Sequence, residues 1–327
     1  MITSTANPRV KDALRLRKRR ERDRSGRFLV EGRRELGRAL GAGVEVDEVL
    51  ACPALLGDDT AVLDLAAAAG AALTEVAEGV FARLSLREGP DGVLGVARAF
   101  PVALDGLDPG EDPLVLVVAE IEKPGNLGAM LRSASAAGAT AVVVADPVTD
   151  VFNPQVVRAS QGALFGVPVG VGDTAAALDW LRRHGLRVYA AGPGGAAPYW
   201  RLPLAGPSAL VVGSEHRGLP DAWFAAADEQ AVIPMPGSAG VDSLNAASAA
   251  AVLLFEAARQ RAEAEGRPRP GGASHDRTVD GSTGTKPPAP SGPRNTNDAS
   301  HASNGTPPST GAADHTTSAR DSGGSAG

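Results

Sequence analysis

Hydrophobic residues in the first third of the chain follow two alternating patterns. Short, mostly apolar runs, typical of buried strands, alternate with Ala- and Leu-rich stretches whose polar positions have helical spacing. The apolar runs are 27–32, 46–52 and 92–100, and the helical stretches are 33–43 and 60–70. This alternation predicts a small α/β domain in which helices pack on a sheet.

The middle of the chain repeats the alternation with longer elements. Its strand-like runs are continuous and apolar, as in parallel sheets that helices cover on both faces. The predicted strands are 114–121, 140–146, 186–192 and 208–215, and the predicted helices are 126–138, 153–165, 174–185 and 243–265. A second, larger α/β unit with a mostly parallel sheet is therefore predicted.

Composition divides the chain into four zones. We predict an α/β domain over 1–98, a linker over 99–113, a second α/β domain over 114–265 and a disordered tail over 266–327. The linker contains three prolines and four acidic residues, which favour an irregular connection. The tail has no Leu, Ile, Phe, Met, Trp or Tyr, so it has no apolar face to bury.

Positive charge is concentrated at the N-terminus of a chain whose formal net charge is −6. Residues 1–38 contain 13 Lys/Arg and five Asp/Glu, an excess of eight positive charges. Such a segment favours a polyanionic partner, although a solvated helix face carries the same pattern.

Cysteine content and the N-terminal sequence bear on the compartment. Cys52 is the single cysteine, which excludes an intrachain disulfide and a cysteine-based metal cluster, and no metal is expected. The first 20 residues lack the apolar core of a signal peptide. No apolar run reaches the roughly 18 residues that indicate a membrane span. We expect a cytoplasmic protein without a membrane partner.

The glycine-rich signatures of common nucleotide-binding and hydrolase folds are missing. No GxGxxG follows a strand, no GxxxxGK[ST] occurs, and residues 213–218 do not fit GxSxG. Polar residues stand instead at three strand-to-helix junctions, the edge at which α/β sheets bind ligands.

The first junction covers residues 120–139. Asn126 is predicted to cap the helix that starts there, and Arg132 lies six residues on. An N-cap and a second-turn side chain can converge on a ligand above a helix N-terminus. The alternative is an ordinary cap with a solvated arginine.

The second and third junctions carry further polar side chains. Glu215 follows a buried strand, and Ser243 and Asn245 open a long Ala-rich helix. Either Asp242 or Ser243 is predicted to cap that helix. A polar turn and a plain Ala-rich helix are the alternatives.

These three segments, in this order, resemble the motif set of the SpoU/TrmH family of RNA ribose methyltransferases. They are EKPGNLGAMLRSASAAG at 122–138, LVVGSEHRGL at 210–219 and IPMPGSAGVDSLNAASAAAVLLFE at 233–256. The N-terminal stretch 3–32 also resembles the start of the family's substrate-binding domain, which has an L30e-like fold. The resemblance covers residues 1 to about 262.

The resemblance implies an α/β-knot domain, in which the chain forms a deep trefoil knot against the general rule that chains do not thread. It also implies S-adenosyl-L-methionine as cofactor and a homodimer through the methyltransferase domain. The implied catalytic positions are Asn126, Arg132, Glu215, Ser243 and Asn245. The implied cofactor positions are Val212, Gly213, Ile233, Met235 and Leu244. Candidate RNA contacts are Arg9, Lys11, Arg17, Lys18, Arg19 and Arg20.

Two features qualify what the resemblance implies. The loop 238–242 looks longer than in many relatives, which affects the cofactor contacts expected around 237–242. Arg132 is implied as a base for the ribose 2'-hydroxyl, but a guanidinium keeps its proton to a pH above about 12. A phosphate clamp that also stabilises the developing alkoxide suits its planar donors better.

The basic end favours an RNA substrate. The resemblance implies 23S ribosomal RNA among RNAs, because the simpler tRNA-modifying members of the family tend to lack the extra N-terminal domain. Three alternatives remain open: a tRNA 2'-O-methyltransferase of the same family, a non-catalytic RNA-binding protein, and an antibiotic-resistance enzyme that acts on ribosomal RNA. The sequence does not fix the nucleotide.

Overall fold

The computed structural model describes residues 1–214, 217–237 and 243–266. The predicted disordered tail lies outside these residues, apart from Gly266. The described strands are β1 (Arg27–Glu31), β2 (Val46–Ala51), β3 (Ala72–Glu75), β4 (Val93–Arg98), β5 (Leu114–Ala119), β6 (Ala141–Ala145), β7 (Val169–Gly172), β8 (Arg187–Ala191), β9 (Ala197–Pro198), β10 (Ser208–Val212) and β11 (Glu229–Val232). The described helices are α1 (Pro8–Arg15), α2 (Arg19–Ser25), α3 (Arg33–Gly41), α4 (Pro53–Leu56), α5 (Ala61–Ala68), α6 (Glu78–Leu84), α7 (Pro124–Ala136), α8 (Pro154–Ala159), α9 (Thr174–Arg183), α10 (Asp221–Ala226) and α11 (Ala246–Ala264).

The N-terminal region, residues 1–98, contains a four-stranded sheet in the order β1-β4-β2-β3. Strand β4 is antiparallel to β1 and β2, whereas β2 and β3 are parallel. Gly95 lies in β4 beneath Leu36 of α3, where a Cβ would come within 2.9 Å of the leucine side chain. The helix therefore packs closely on the sheet, as the apolar pattern predicts.

The C-terminal region, residues 114–265, contains a seven-stranded sheet in the order β7-β6-β5-β10-β8-β11-β9. All the neighbouring pairs described in this sheet are parallel. Every residue of β5, β6 and β10 is buried, because helices cover both faces of the central strands. The prediction of an α/β fold with a mostly parallel sheet is confirmed.

Three predicted helix boundaries are wrong. Lys123 occupies the N-cap position of α7 without a side-chain capping bond, and the helix starts with Pro124, because the fixed φ of proline suits the first helical position, where an amide has no partner within the helix. Asn126 therefore lies inside the first turn and is not the cap. The predicted helix 153–165 is too long, because α8 ends at Ala159. Gln161 and Gly162 have positive φ, which interrupts the helix, and a separate 3₁₀ turn follows at Ala163–Phe165.

The third boundary concerns α11. Asn245, and not Ser243, is its N-cap, and the Asn245 side chain accepts hydrogen bonds from the amides of Ala247 and Ser248. The other predicted cap, Asp242, lies outside the described residues. Asparagine is among the strongest capping residues, so the helix begins at Ala246.

Helix α7 lies between α8 and α11. On the α8 side, a Cβ added at Gly128 would lie 2.5 Å from the Ala159 Cβ and 2.7 Å from the Val156 carbonyl oxygen. Only glycine lets the two helices approach this closely.

A cluster of four phenylalanines lies where the N-terminal and C-terminal regions meet. Phe28 of β1 packs against Phe152 with ring centroids 4.8 Å apart, and Phe100 meets Phe152 edge-on at 5.0 Å. Phe165 completes the cluster at 6.3 Å from Phe28. The two sheets belong to one compact unit. None of the helices described is long and apolar enough to cross a bilayer.

Candidate active site at the junction of α7 and α11

Packing of α11 against α7 brings the first and third polar junctions together. The Asn245 Nδ2 donates to the Asn126 Oδ1 at 3.3 Å. The Asn245 Oδ1 accepts from the amide of Ala247 at 3.0 Å, so capping fixes which end of the carboxamide faces α7. Two side chains that are 119 residues apart in sequence thus form one polar pair.

Arg132 lies on the same helix as Asn126, in the second turn after it. Its side chain is exposed, and it forms no hydrogen bond or ion pair with any other residue that the structure describes. Ser243 is also exposed, two residues before the α11 cap. Glu215 lies outside the described residues. Asn126, Arg132 and Asn245 are therefore the predicted site residues that α7 and its contact with α11 gather.

The predicted cofactor positions include a close backbone crossing. A Cβ at Gly213 would lie 2.6 Å from the Gly218 carbonyl oxygen and 2.7 Å from the Leu219 nitrogen, so a side chain at 213 has no room. Val212 beside it is buried. The loop that follows β10 therefore folds back tightly on the end of that strand.

The remaining cofactor positions are apolar side chains that the described atoms leave partly uncovered. Ile233 and Met235 are half-buried, and Leu244 is 37% exposed. Apolar walls with backbone polar groups are typical of small-molecule sites. These three side chains therefore leave apolar surface available to a ligand.

Two residues that the sequence did not single out have a left-handed backbone at strand ends. Glu120 follows β5 with φ 51°, and Asp146 follows β6 with φ 47°. The Asp146 Oδ2 accepts from the amide and hydroxyl of Thr174 at 3.1 and 2.6 Å. Non-glycine residues in this conformation often mark functional sites. Nothing in the local sequence distinguishes Glu120 or Asp146 from an ordinary strand-end acid.

The predicted RNA contacts divide into two groups. The side chains of Lys11, Lys18 and Arg20 are exposed and make no hydrogen bond or ion pair with another described residue. Arg19 is also exposed; its Nε lies 3.7 Å from the Asp23 carboxylate, and its Nη1 donates to the Val148 carbonyl at 3.4 Å.

The other two RNA candidates have internal partners. Arg9 bonds to Thr74 at 2.7 Å and Glu48 at 3.1 Å. The Arg17 Nη2 donates to the carbonyls of Arg83, Leu84 and Ser85 at 2.8–3.1 Å. Burial lowers the pKa of the Arg17 guanidinium, partly offset by Glu31. Arg17 thus holds the end of α6 in place. Among the residues that the structure describes, no three metal-ligating side chains form a cluster.

Comparisons with known proteins give matches over both regions of the chain. The SpoU rRNA Methylase family model matches residues 113–255, and the MRM3-like substrate binding domain model matches residues 7–95. The chain is 32% identical over 255 residues to 23S rRNA (guanosine(2553)-2'-O)-methyltransferase RlmP of Bacillus subtilis, an alignment that covers 78% of this chain and 97% of that protein. The chain belongs to the SpoU rRNA methylase family.

Other members of the SpoU rRNA methylase family have solved structures. A crystal structure of an RNA 2'-O ribose methyltransferase superposes with a TM-score of 0.71 at 46% identity, covering 80% of this chain and 98% of the other. An AdoMet-bound rRNA methyltransferase from Sinorhizobium meliloti gives 0.72 at 32% identity, covering 79% of this chain and 97% of the other. The family and its fold are therefore supported over both regions.

Proposed function

We propose that this protein transfers a methyl group from S-adenosyl-L-methionine to a ribose 2'-hydroxyl of 23S ribosomal RNA. The observation that carries the proposal is the Asn126–Asn245 hydrogen bond, formed beside an exposed Arg132. RlmP of Bacillus subtilis, which aligns over both regions, is a ribosomal RNA 2'-O-methyltransferase by name. An enzyme with this substrate works beside ribosomes, which supports a cytoplasmic location.

The proposed cofactor site consists of Val212, Gly213, Ile233, Met235 and Leu244. Bound S-adenosylmethionine supplies a methyl group on a positively charged sulfur, whose neutral thioether is a good leaving group. The chain's task is to hold the ribose hydroxyl in line with that methyl group, and such positioning can contribute about 7–11 kcal/mol. The tight Gly213 crossing and the half-buried apolar side chains suit a site that excludes water.

We assign Arg132 the role of phosphate clamp. Its exposed guanidinium presents a planar set of donors, which suits a phosphate beside the target ribose and an oxygen that gains negative charge. Asn126 and Asn245 would orient the ribose and the loop before α11. Ser243 and Glu215 are proposed to complete this set.

The knot, the L30e-like fold and the homodimer are further parts of the proposal. Packing of α11 against α7 and β10 is compatible with a C-terminal segment that has passed through a loop. The mixed sheet of the N-terminal region supports a separate RNA-docking domain over 1–98. Phe255 on α11 is 52% exposed, and Trp200 in the turn that contacts α11 is 49% exposed. Exposed aromatic side chains on α11 and in the turn beside it favour a second copy of the chain as partner.

Mapping of 2'-O-methyl groups tests the function. Total RNA from cells with and without the protein should differ at one ribose of 23S rRNA. An unchanged 23S map with a changed tRNA map would move the substrate to tRNA. Calorimetric titration with S-adenosylmethionine separates the enzyme from a non-catalytic RNA-binding protein, which would give no binding heat.

A further inference from the structure

Helix α8 contacts both regions of the molecule. One side packs against β1 of the N-terminal region, and the other packs against α7. The α7 contact is made at Gly128, which has no space for a side chain. Gly128 lies two residues after Asn126 and one turn before Arg132. Because tightly packed interiors transmit small displacements, a shift of α8 moves the helix that carries both site residues.

A buried ion pair holds the start of α8 to the N-terminal region. Arg22 of α2 is 4% exposed, and its Nε and Nη2 both donate to the carboxylate of Asp150, the former at 3.2 Å. Its Nη1 donates to the Leu16 carbonyl at 2.8 Å. A bidentate pair fixes orientation as well as distance. Arg22 thus ties the α1–α2 turn to the loop before α8.

Asp150 leads directly into α8. Its carbonyl oxygen accepts from the Asn153 amide at 3.1 Å, and Asn153 caps α8 by accepting from Gln155. The neighbouring Thr149 amide donates to the Ile121 carbonyl at 3.4 Å, in the turn that precedes α7. The loop held by Arg22 therefore reaches the site helix by two routes, one through α8 and one through this turn.

Two further hydrogen bonds hold α8 and the segment that follows it. The Arg158 Nη1 donates to the Leu86 carbonyl at 2.7 Å, and the Arg38 Nη1 donates to the Gln161 carbonyl at 2.7 Å. Both join the N-terminal region to the C-terminal region. With the Arg22–Asp150 pair, they fix α8 on both sides.

We propose that Arg22 and Asp150 are positioning residues, which set the register between RNA bound on the N-terminal region and the site on α7. This inference rests on the proposed function. Arg22 is buried and each of its three guanidinium nitrogens donates to the protein, so it acts through the position of α8 and not through RNA contact. The pair thereby determines which ribose of the docked RNA reaches Arg132.

Two variants test the proposal with a 23S rRNA fragment as substrate. Asp150→Asn keeps the shape of the side chain but removes the charge that pairs with Arg22. The double variant R22M/D150L replaces the pair by apolar side chains, an exchange that often preserves folding, and removes the directional bonds. For both we expect kcat to fall about 100-fold, as a misplacement of about 1 Å can cause. Methylation should also spread to neighbouring riboses.

Binding measurements separate positioning from general damage. The affinities for S-adenosylmethionine and RNA should stay near those of the wild type in R22M/D150L, because neither residue lies at the proposed cofactor positions or on the exposed basic surface. RNA-induced protection of the α7 amides from hydrogen exchange should be lost. Glu229→Gln is the control: it breaks an exposed pair with Arg187, 3.0 Å long, at the opposite end of the sheet, and should behave as wild type.

Three results would overturn the proposal. If the wild type is active and both variants keep its kcat and its methylation position, the positioning role is wrong while the proposed function stands. A parallel loss of cofactor affinity, RNA affinity and thermal stability in both variants shows a general structural role. A wild type that methylates no RNA overturns the proposed function, and the positioning role with it.

Discussion

The internally bonded arginines of the N-terminal region contrast with Arg132 of the C-terminal region. In the N-terminal region, Arg17, Arg22 and Arg33 donate to carbonyls and carboxylates of the protein itself. On α7 of the C-terminal region, Arg132 is exposed and pairs with no other residue of the described part of the chain. A high density of positive charge in the sequence therefore indicates which region binds RNA. The cations without a partner in the protein indicate which surface of that region contacts the RNA. Substitutions at exposed and at internally bonded positions test this contrast.

Arg132→Lys should cause the largest loss. Lysine keeps the charge but lacks the planar pair of donors, so kcat should fall by about 100- to 1,000-fold, as for loss of one oxyanion donor. Steady-state methylation of a 23S rRNA fragment measures it, and titration checks that cofactor affinity is retained. Arg182→Lys, at an exposed pair with Asp179, serves as control. Near-normal activity of the Arg132 variant would rule out the clamp.

Gly128→Val should destabilise the protein by about 1–3 kcal/mol, the usual cost of overpacking. The new side chain would collide with the backbone of α8. Denaturant unfolding measures the change in free energy. The control is Gly37→Ala in α3, which has open space at its Cβ and should stabilise the protein by up to about 1 kcal/mol. Equal stabilities for the two variants would contradict the close approach of α7 and α8.

Replacing Lys11, Lys18 and Arg20 together by Gln should weaken RNA binding without changing kcat at saturation. Each lost phosphate contact lowers the slope of log affinity against log salt by about 0.7–0.9. Filter binding at several salt concentrations measures the slope. The control removes Arg182 and Arg183 from α9, both exposed. A similar loss of slope per charge in this control would show that RNA affinity follows net charge and not this surface.

Glu256→Gln should have the smallest effect. Hydrogen bonding from Arg259 lowers the pKa of the Glu256 carboxyl below its ordinary value of 4.5. A depressed pKa stabilises the folded protein above the unfolded-state value, and that stability is lost as the pH falls through the folded-state value. The variant should be less stable by under about 1 kcal/mol at neutral pH, and the difference should vanish in acid.

Unfolding measured across this pH range tests the assignment. The control is Glu45→Gln, which breaks an exposed pair with Arg98 in the N-terminal region. If the Glu256→Gln variant stayed less stable than the wild type in acid, another carboxylate would determine the acid transition.

Strands and fold class could be predicted because buried parallel strands leave an unmistakable local pattern. The runs around 114–121 and 208–215 coincide with β5 and β10, since covering both faces requires continuous apolar residues. Helix boundaries were harder to predict from the sequence. The start of α7 depended on Pro124, and the end of α8 depended on the positive φ of Gln161, an energetic cost that only tertiary contacts compensate.

The residues of the proposed site could be named from the sequence, but the contact between them could not. Asn126 and Asn245 were both singled out, yet their hydrogen bond spans 119 residues, beyond the reach of any local pattern. The same limit applies to Arg17 and Arg22, whose acceptors lie 66–68 and 128 residues away. Nothing near them in sequence separates these structural arginines from Lys18 or Arg20.

The phenylalanine cluster has a consequence for how such an enzyme can acquire a new RNA target. Four of the seven phenylalanines meet where the two regions join, and both regions contribute rings. Recombination that exchanged only residues 1–98 would leave Phe152 and Phe165 facing an unmatched surface, with an aggregation risk in the hybrid. A change of RNA target through gradual substitution of exposed cations such as Lys11 and Arg20 leaves the phenylalanine cluster intact. Evolution of substrate choice in this architecture should therefore proceed by surface substitution more readily than by domain exchange.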